Sequence, residues 1–325
     1  MLLQTHLNYI KLINMKTTKN NENISEYLIF RHIVSKKKWT INIDFNKKQN
    51  KNLSYSKVNS LLNNSLKKYK NSACFVSGGL DSSLLAVMIG AKDIYTSYFN
   101  EKNCDELDWA KKVAKHIGAR IHPVLITKDR YLSTLEYLIK NKKCGLHPNE
   151  ACLYLTALQA KSDGYKVITS GEGADDIFGG YSDLLKNEKK YMKDANTFFN
   201  RYAYFDPSKI GLKNDIDFEK YKIWGMERFI LEVHTPGLIE RAINACESAN
   251  IKVAFPYLEG ALPQTMWEAK SLFKNEKNTL KKIAENYLPK NIIYRKKIGF
   301  PIPIDKWFGG IDKFLLFNID IWQNK

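Results

Sequence analysis

Between Ala73 and Thr169 short apolar runs alternate with stretches of helical spacing. Ala73-Cys74-Phe75-Val76 is a compact apolar run, a Gly-rich turn follows it, and Leu84 to Ile89 opens a helix. Ile94 to Phe99 is β-branched and aromatic and predicts a second strand. Leu107, Ala110, Val113, Ala114 and Ile117 recur at helical spacing, and Arg120 to Ile126 alternates as a third strand should. Ala151 to Ala160 reads as helix and Lys166 to Thr169 as a fourth strand. This alternation predicts an α/β fold with a parallel sheet and helices on both faces. Ligands in such sheets sit at the carboxyl ends of the strands. From Asn187 onward the pattern is mostly helical, most clearly over Glu227 to Val233 and Ile239 to Ala249. Ahead of the sheet region, Tyr27 to Ile43 mixes short apolar runs with basic residues and predicts edge strands. Asn46 to Leu53 is the most polar connector and the natural boundary. No internal repeat is present.

Composition narrows the class. Hydrophobic residues make up 44% and charged residues 26% of the 325, which excludes a mainly disordered chain. No apolar run approaches the roughly 18 residues that span a bilayer. The five cysteines are odd in number and never spaced as C-x-x-C, which argues against a disulfide framework or a zinc site and for a reducing cytoplasm. A net charge of +17 first suggests nucleic acid. Only seven of the 51 basic residues are Arg, however, and Arg is the residue suited to bidentate phosphate and base contacts. The lysines read as a solvated face, with steering of anionic substrates as the alternative.

Two loops carry the chemistry. Ser77-Gly78-Gly79-Leu80-Asp81-Ser82-Ser83 leaves a strand and enters a helix. Its glycines allow close backbone approach, and its amides and the hydroxyls of Ser77, Ser82 and Ser83 form an anion site at a helix N-terminus. It lacks the Lys of a Walker A motif. The second loop, Ser170-Gly171-Glu172-Gly173-Ala174-Asp175-Asp176-Ile177-Phe178-Gly179-Gly180-Tyr181, also follows a strand. Asp81 and Asp175 come from separate strand ends and can hold Mg²⁺ between them, with phosphate oxygens completing its shell. Val76 and Phe99, at two adjacent strand ends, are candidates either for a ligand pocket, the adenine pocket if the ligand is ATP, or for ordinary core packing. Asp105-Glu106 opens a helix and reads as a complement to its dipole.

The first loop resembles the pyrophosphate-binding loop of the PP-loop ATP pyrophosphatases, whose fold is the adenine nucleotide α-hydrolase-like sheet. The second resembles the matching loop of the asparagine synthetase family. Tyr294-Arg295-Lys296-Lys297-Ile298-Gly299-Phe300, with Pro303 and Trp307, is similar to that family's R-x-K-x-G-F and P-x-x-x-W pattern, and Ala254-Phe255-Pro256-Tyr257-Leu258-Glu259 to its R-x-P-F/Y-L-D segment. The resemblance covers roughly Lys67 to Phe308. It implies an ATP-dependent amide-forming ligase that uses ATP and Mg²⁺. A carboxylate is adenylated, pyrophosphate leaves, and ammonia or an amine displaces AMP. Aspartate is the obvious acyl substrate; a specialised metabolite, a peptide side chain or a sugar acid stands beside it.

The same resemblance assigns Lys297 to the adenylation transition state and places Glu172 beside the acyl-adenylate, where a carboxylate can attract ammonium and accept its proton. β-Lactam-forming relatives carry Tyr at the place of Glu172, so a Glu favours an intermolecular nitrogen donor. Gly171 belongs to the nucleotide-binding set. Full-length relatives begin with a glutaminase domain whose nucleophile is an N-terminal Cys. Here residue 2 is Leu2 and the first cysteine is Cys74. The expectation is a short segment 1–66 resembling the family's connector and a synthetase domain over 67–325. Nitrogen would then come from free ammonia, a separate glutaminase subunit or a substrate amine. Asp176 for the usual Glu and Ala254 for the usual Arg depart from the pattern. A PP-loop tRNA-modifying enzyme and a non-catalytic scaffold of this fold are the alternatives.

Overall fold

Five short strands, β1 (Ala73–Phe75), β2 (Asp93–Tyr98), β3 (Arg120–Leu125), β4 (Val167–Thr169) and β5 (Lys252–Ala254), form one sheet in the order β3-β2-β1-β4-β5. All four pairings are parallel. This is a computed structural model; it describes residues 21–47, 53–101, 106–212, 216–269, 271–296 and 302–324. The chain runs outward from β1 to β3, then returns to the other side of β1 for β4 and β5. The strand order therefore reverses between β1 and β4, and the crevice at their carboxyl ends is where a ligand fits such a sheet.

Alternation along the strands builds a core on each face. Cys74 and Ile94 face helices α2 (Tyr55–Leu66), α3 (Leu80–Ile89) and α4 (Leu107–Ile117), packing with Leu62, Leu84, Leu85 and Val113. Ala73, Tyr95 and Ile168 point the other way, against Ala157 and Ala160 of α6 (Glu150–Ser162) and Cys246 of α8 (Thr235–Ser248). Between β3 and α6 lies α5 (Lys128–Lys142), and α7 (Ala174–Phe178) follows β4. Helix α2 shares its core with β1, β2 and α3, so the segment just ahead of residue 67 packs as part of the sheet region.

The expected edge strands over Tyr27 to Ile43 are not there. Asn21–Phe30 is helix α1, and beyond a short 3₁₀ turn at Val34–Lys36 the chain runs on without regular structure. Ile24, Tyr27, Leu28, Ile29 and Phe30 are all buried, between the aromatic cluster of the last helix and that of Phe198 and Phe229. An apolar run covered on every side shows no period, and periodicity alone cannot tell it from a strand. The amides of Trp39 and Asp44 donate to the side chains of Glu240 and Gln264, at 2.9 and 2.7 Å, instead of joining a ladder. The connector Asn46 to Leu53 lies mostly outside the described residues.

The helical C-terminal part carries one irregularity. Phe218–Phe229 is broken at Gly225 (φ 78°, ψ 167°), then passes through a π-helical turn at Ile230–His234 into α8. Among the described residues no helix is long and apolar enough to cross a membrane.

Candidate active site

Loop residues after β1 and β4 meet at the reversal point. α3 starts at Gly79 without a side-chain cap, which leaves its positive end to an anion. Gly79 N donates to Ser77 Oγ (3.3 Å) and Ser77 N to Ser82 Oγ (3.2 Å), so the turn is pre-shaped by its own serines. Gly78 has φ +74°, and any Cβ there would collide with Trp109 of α4. A Cβ on Gly171 would lie 2.9 Å from Ser82 N, so only glycine lets the second loop rest on the first turn of α3.

A cleft of about 840 Å³ opens over both loops. Val76, Ser77, Gly79, Asp81, Ser82, Gly171, Glu172 and Asp175 line it. Gly78 contributes from behind through its carbonyl, which accepts from Arg295 Nε at 2.9 Å. Two expected nucleotide-binding residues are not on the cleft wall. Ser83 is fully buried in α3, and its hydroxyl has no hydrogen-bond partner among the described residues. Phe99 is 3% exposed and meets Trp307 edge-on at 5.7 Å, in the core formed with the last helices. Beside Val76 the wall is made by Thr96 and Ser97 of β2. The adenine candidates therefore reduce to Val76.

The two aspartates meet at a cation that the sequence did not announce. Lys277 Nζ lies 2.7 and 2.6 Å from the two oxygens of Asp81 and 2.6 Å from Asp175 Oδ1. Burial works against its charge, but Asp81 and Asp175 outweigh that and hold the ammonium well above the ordinary lysine value. Glu276 and Lys277 both sit at positive φ (49° and 60°), a conformation that costs roughly 1–2 kcal/mol per residue. Glu276 is tied to Lys186.

A hard divalent cation suits this place. Two carboxylates converge on one positive charge beside an anion-binding helix end, and Mg²⁺ commonly takes one or two carboxylates plus substrate phosphates. Among the described residues no group of three or more His, Cys, Asp or Glu converges.

Arg295 stitches the site from a third direction. Besides Gly78 O it binds Glu106 Oε1 at 2.6 Å, and both side chains are almost fully buried. Glu106, read as a dipole complement, thus fixes the arginine that braces the phosphate loop. Lys297, the other catalytic candidate, lies outside the described residues.

Deeper in the cleft, Glu172 Oε1 accepts from Arg241 Nη2 at 2.5 Å. Arg241 Nη1 also reaches the His147 ring (3.1 and 3.2 Å). Burial, then Arg241 and Arg31, push His147 and His234 well below the ordinary histidine value, so both are neutral. Burial raises Asp176 to about 7; nearby Asp175 and Glu172 add to it, against a 2.6 Å bond from Thr235 Oγ1. Neither Lys277 nor Arg241 stands in a motif. Each comes from a helical segment distant in sequence, and only the fold brings it to the loops.

Comparison with known proteins agrees with this geometry. Residues 57–316 match the family described as Asparagine synthase. Asparagine synthetase [glutamine-hydrolyzing] 3 of Arabidopsis thaliana is 27% identical over 257 residues, covering 73% of this chain and 40% of the relative. A putative asparagine synthetase of Methanocaldococcus jannaschii is 26% identical, over 68% of this chain and 43% of its own length. Asparagine synthetase 1 of Bacillus subtilis is 23% identical, over 72% and 46%. The chain spans less than half the length of these relatives. With the match extending over most of its residues and the two loops meeting at a common cation, this chain belongs to the asparagine synthase family.

Proposed function

We propose that this chain adenylates a carboxylate with ATP, releasing pyrophosphate, and passes the acyl group to ammonia or an amine to form an amide. The convergence of Asp81 and Asp175, from the two loops at the sheet's reversal point, carries this reading. The N-terminus of α3 and the serine-shaped turn receive the departing pyrophosphate. Asp81 and Asp175 would hold Mg²⁺, which neutralises the leaving phosphates when bound. Lys277 stands at the same spot and supplies a point charge to those phosphates. Arg295 keeps the loop in place, and Lys297, by resemblance, acts on the α-phosphate.

At the far end Glu172 is held by Arg241 and takes a proton from the incoming ammonium or amine. Aspartate is the acyl substrate that the relatives' names suggest. Nitrogen enters as ammonia, as a substrate amine or from a separate glutaminase. The test is ATP–pyrophosphate exchange in the presence of candidate acids, with hydroxylamine as the trap for the acyl-adenylate. Exchange dependent on an acid and lost in Asp81→Asn supports the reading; exchange that survives Asp81→Asn ends it.

A further inference from the structure

We propose that His32 and Lys37 are positioning residues: from a strap outside the stretch matched to the family, they hold the π-helical turn at Ile230–His234 in the register that clamps α7, and with it Asp175, at the cation site. The proposal rests on the metal assignment of the adenylating reading and adds residues that set the geometry of that site from a distance.

The turn has a cause in the sequence. Pro236 has no N–H for the carbonyl of Glu232, four residues back, and its ring crowds that carbonyl. The helix widens there, and Thr235 N donates to Ile230 O, five residues back. The strap takes two carbonyls of the turn. Lys37 Nζ donates to Glu232 O at 2.7 Å, and His32 Nε2 donates to Val233 O at 2.8 Å. The His32 ring occupies the place where a Cβ on Gly237 would fall, 2.5 Å from its Cδ2, so only glycine admits it. Burial pushes His32 down to about 3, so the ring is neutral and its one proton is on Nε2. Its buried Nδ1 has no hydrogen-bond partner among the described residues. An open nitrogen in the interior costs stability, and a leucine would fill this space without one. What histidine adds is the bond to Val233 O. Beyond the turn, the amides of Lys38 and Trp39 both donate to Glu240 Oε1, which keeps the strap on α8.

The turn in turn grips α7. Thr235 is fully buried, and its Oγ1 donates to Asp176 Oδ1 at 2.6 Å. His234 Nδ1 accepts the Tyr202 hydroxyl at 2.7 Å and faces Arg31 Nη2 at 3.4 Å, which leaves Nε2–H for the Tyr181 hydroxyl at 3.1 Å. Asp176 stands beside Asp175 in the first turn of α7, and Tyr181 lies just past its end. Two consecutive residues thus fix both ends of a five-residue helix. A turn that lost its extra residue would rotate one flank by roughly 100° against the other, and His234 and Thr235 would lose α7. The π-turn is therefore the two-state element through which the strap acts on Asp175.

The test is calorimetric titration of the full chain with α,β-methylene-ATP, with and without Mg²⁺, together with amide hydrogen exchange. The variants are His32→Leu, His32→Gln, Lys37→Met and Thr235→Val, each checked by thermal melting. With Mg²⁺, His32→Leu should bind the analogue about fivefold or more weakly than wild type, the scale of one lost hydrogen bond, and should change little without Mg²⁺. It should lose exchange protection over residues 171–181 while β2 and β3 keep theirs. His32→Gln, whose amide nitrogen can reach Val233 O, should recover most of the binding. Thr235→Val should show the same loss, and the double variant with His32→Leu should lose little more than either alone, because both act through one contact.

His32→Leu that melts lower but binds the analogue with the Mg²⁺ dependence of wild type overturns the proposal, and His32 is then packing alone. Additive losses in the double variant overturn it too. Should His32→Leu fail to fold, Lys37→Met carries the same comparison, and wild-type binding there overturns the proposal. Wild type itself separates the two readings. If its binding does not depend on Mg²⁺, the metal assignment falls and the strap's role with it; if it does and the variants match it, only the strap's role falls.

Discussion

Replacing Lys277 by Met tests the metal assignment without needing a substrate. The ammonium touches Asp81 and Asp175, whose side chains are 20% and 18% exposed against 10% for the lysine. Removing one partner of a buried ion pair costs about 3–5 kcal/mol, because the remaining charges lose their compensation. A fifth of each carboxylate still sees water, so the low end, about 3 kcal/mol, applies. At roughly 2 °C per kcal/mol for a chain of this size, Lys277→Met should melt about 6 °C lower. Mg²⁺ should restore much of that, since a ligand at a hundred times its dissociation constant adds about 2.7 kcal/mol. Wild type, with its own ammonium between the carboxylates, should respond to Mg²⁺ far less. The pH behaviour stems from the raised lysine pKa. Its stabilisation is complete below the unfolded value near 10.4 and is lost only as pH rises through the higher folded value. The gap between variant and wild type should therefore be constant from about pH 6 to 9. A variant that melts with wild type, or gains nothing from Mg²⁺, would refute the argument that these two carboxylates form a cation site.

Asp175→Asn should abolish pyrophosphate release while circular dichroism shows an intact fold; turnover near wild type would remove it from the metal set. Glu172→Gln should retain acid-dependent ATP–pyrophosphate exchange and slow amide formation at least tenfold, because Arg241 can still hold the amide but no base remains; equal slowing of both half-reactions would contradict this division. Asp176, raised to about 7, costs stability as pH climbs from its unfolded value near 4 through 7, by up to about 4 kcal/mol. Asp176→Asn should therefore melt at or above wild type at pH 8 and flatten the pH profile, and a variant that is less stable at pH 8 would show that the charged form is favoured. The described cysteines are buried, with Cys74 and Cys144 pushed up to about 12 by desolvation and Cys152 and Cys246 further still. None of these four offers a thiolate, so the chain carrying Cys104→Ser should transfer label from ammonia and not from glutamine; amide label from glutamine would disprove this.

Four of the five strands are legible directly, because Ile94 to Phe99 and Arg120 to Ile126 combine β-branched residues with alternation, and the other two precede glycine-rich loops. β5 is not: Lys252–Ala254 is three residues long and sits between helices with no turn motif of its own. α1 escapes the pattern for the opposite reason, since burial on all sides erases the helical period. The loops are legible because their chemistry is local. Asp81, Gly171, Glu172 and Asp175 stand in strings whose glycines and acids have one economical use. Lys277, Arg241 and Arg31 stand in none. Lys277 Nζ reaches Asp81 across 196 positions of sequence, and only the crossing of the chain from β4 through the helical part brings it there. The same limit explains Phe99 and Ser83, which the strand and helix ends place near the site while their side chains turn into the core.

The position of β1 in the sheet bears on how the chain is made. β1 carries the phosphate loop and pairs with β2 on one side and β4 on the other. β2 comes within a few residues of α3, whereas β4 emerges from the ribosome only after α4, β3, α5 and α6. Until then one edge of β1 offers unpaired N–H and C=O groups to any extended segment, the hazard of an open sheet edge. Asp81 is present during this interval, but its partner Asp175 lies 94 residues on and Lys277 later again. A nascent chain halted after β3 therefore has neither acidic pair nor compensating cation. Synthesis itself orders events, so that strand insertion closes the vulnerable edge before Asp81, Asp175 and Lys277 can come together.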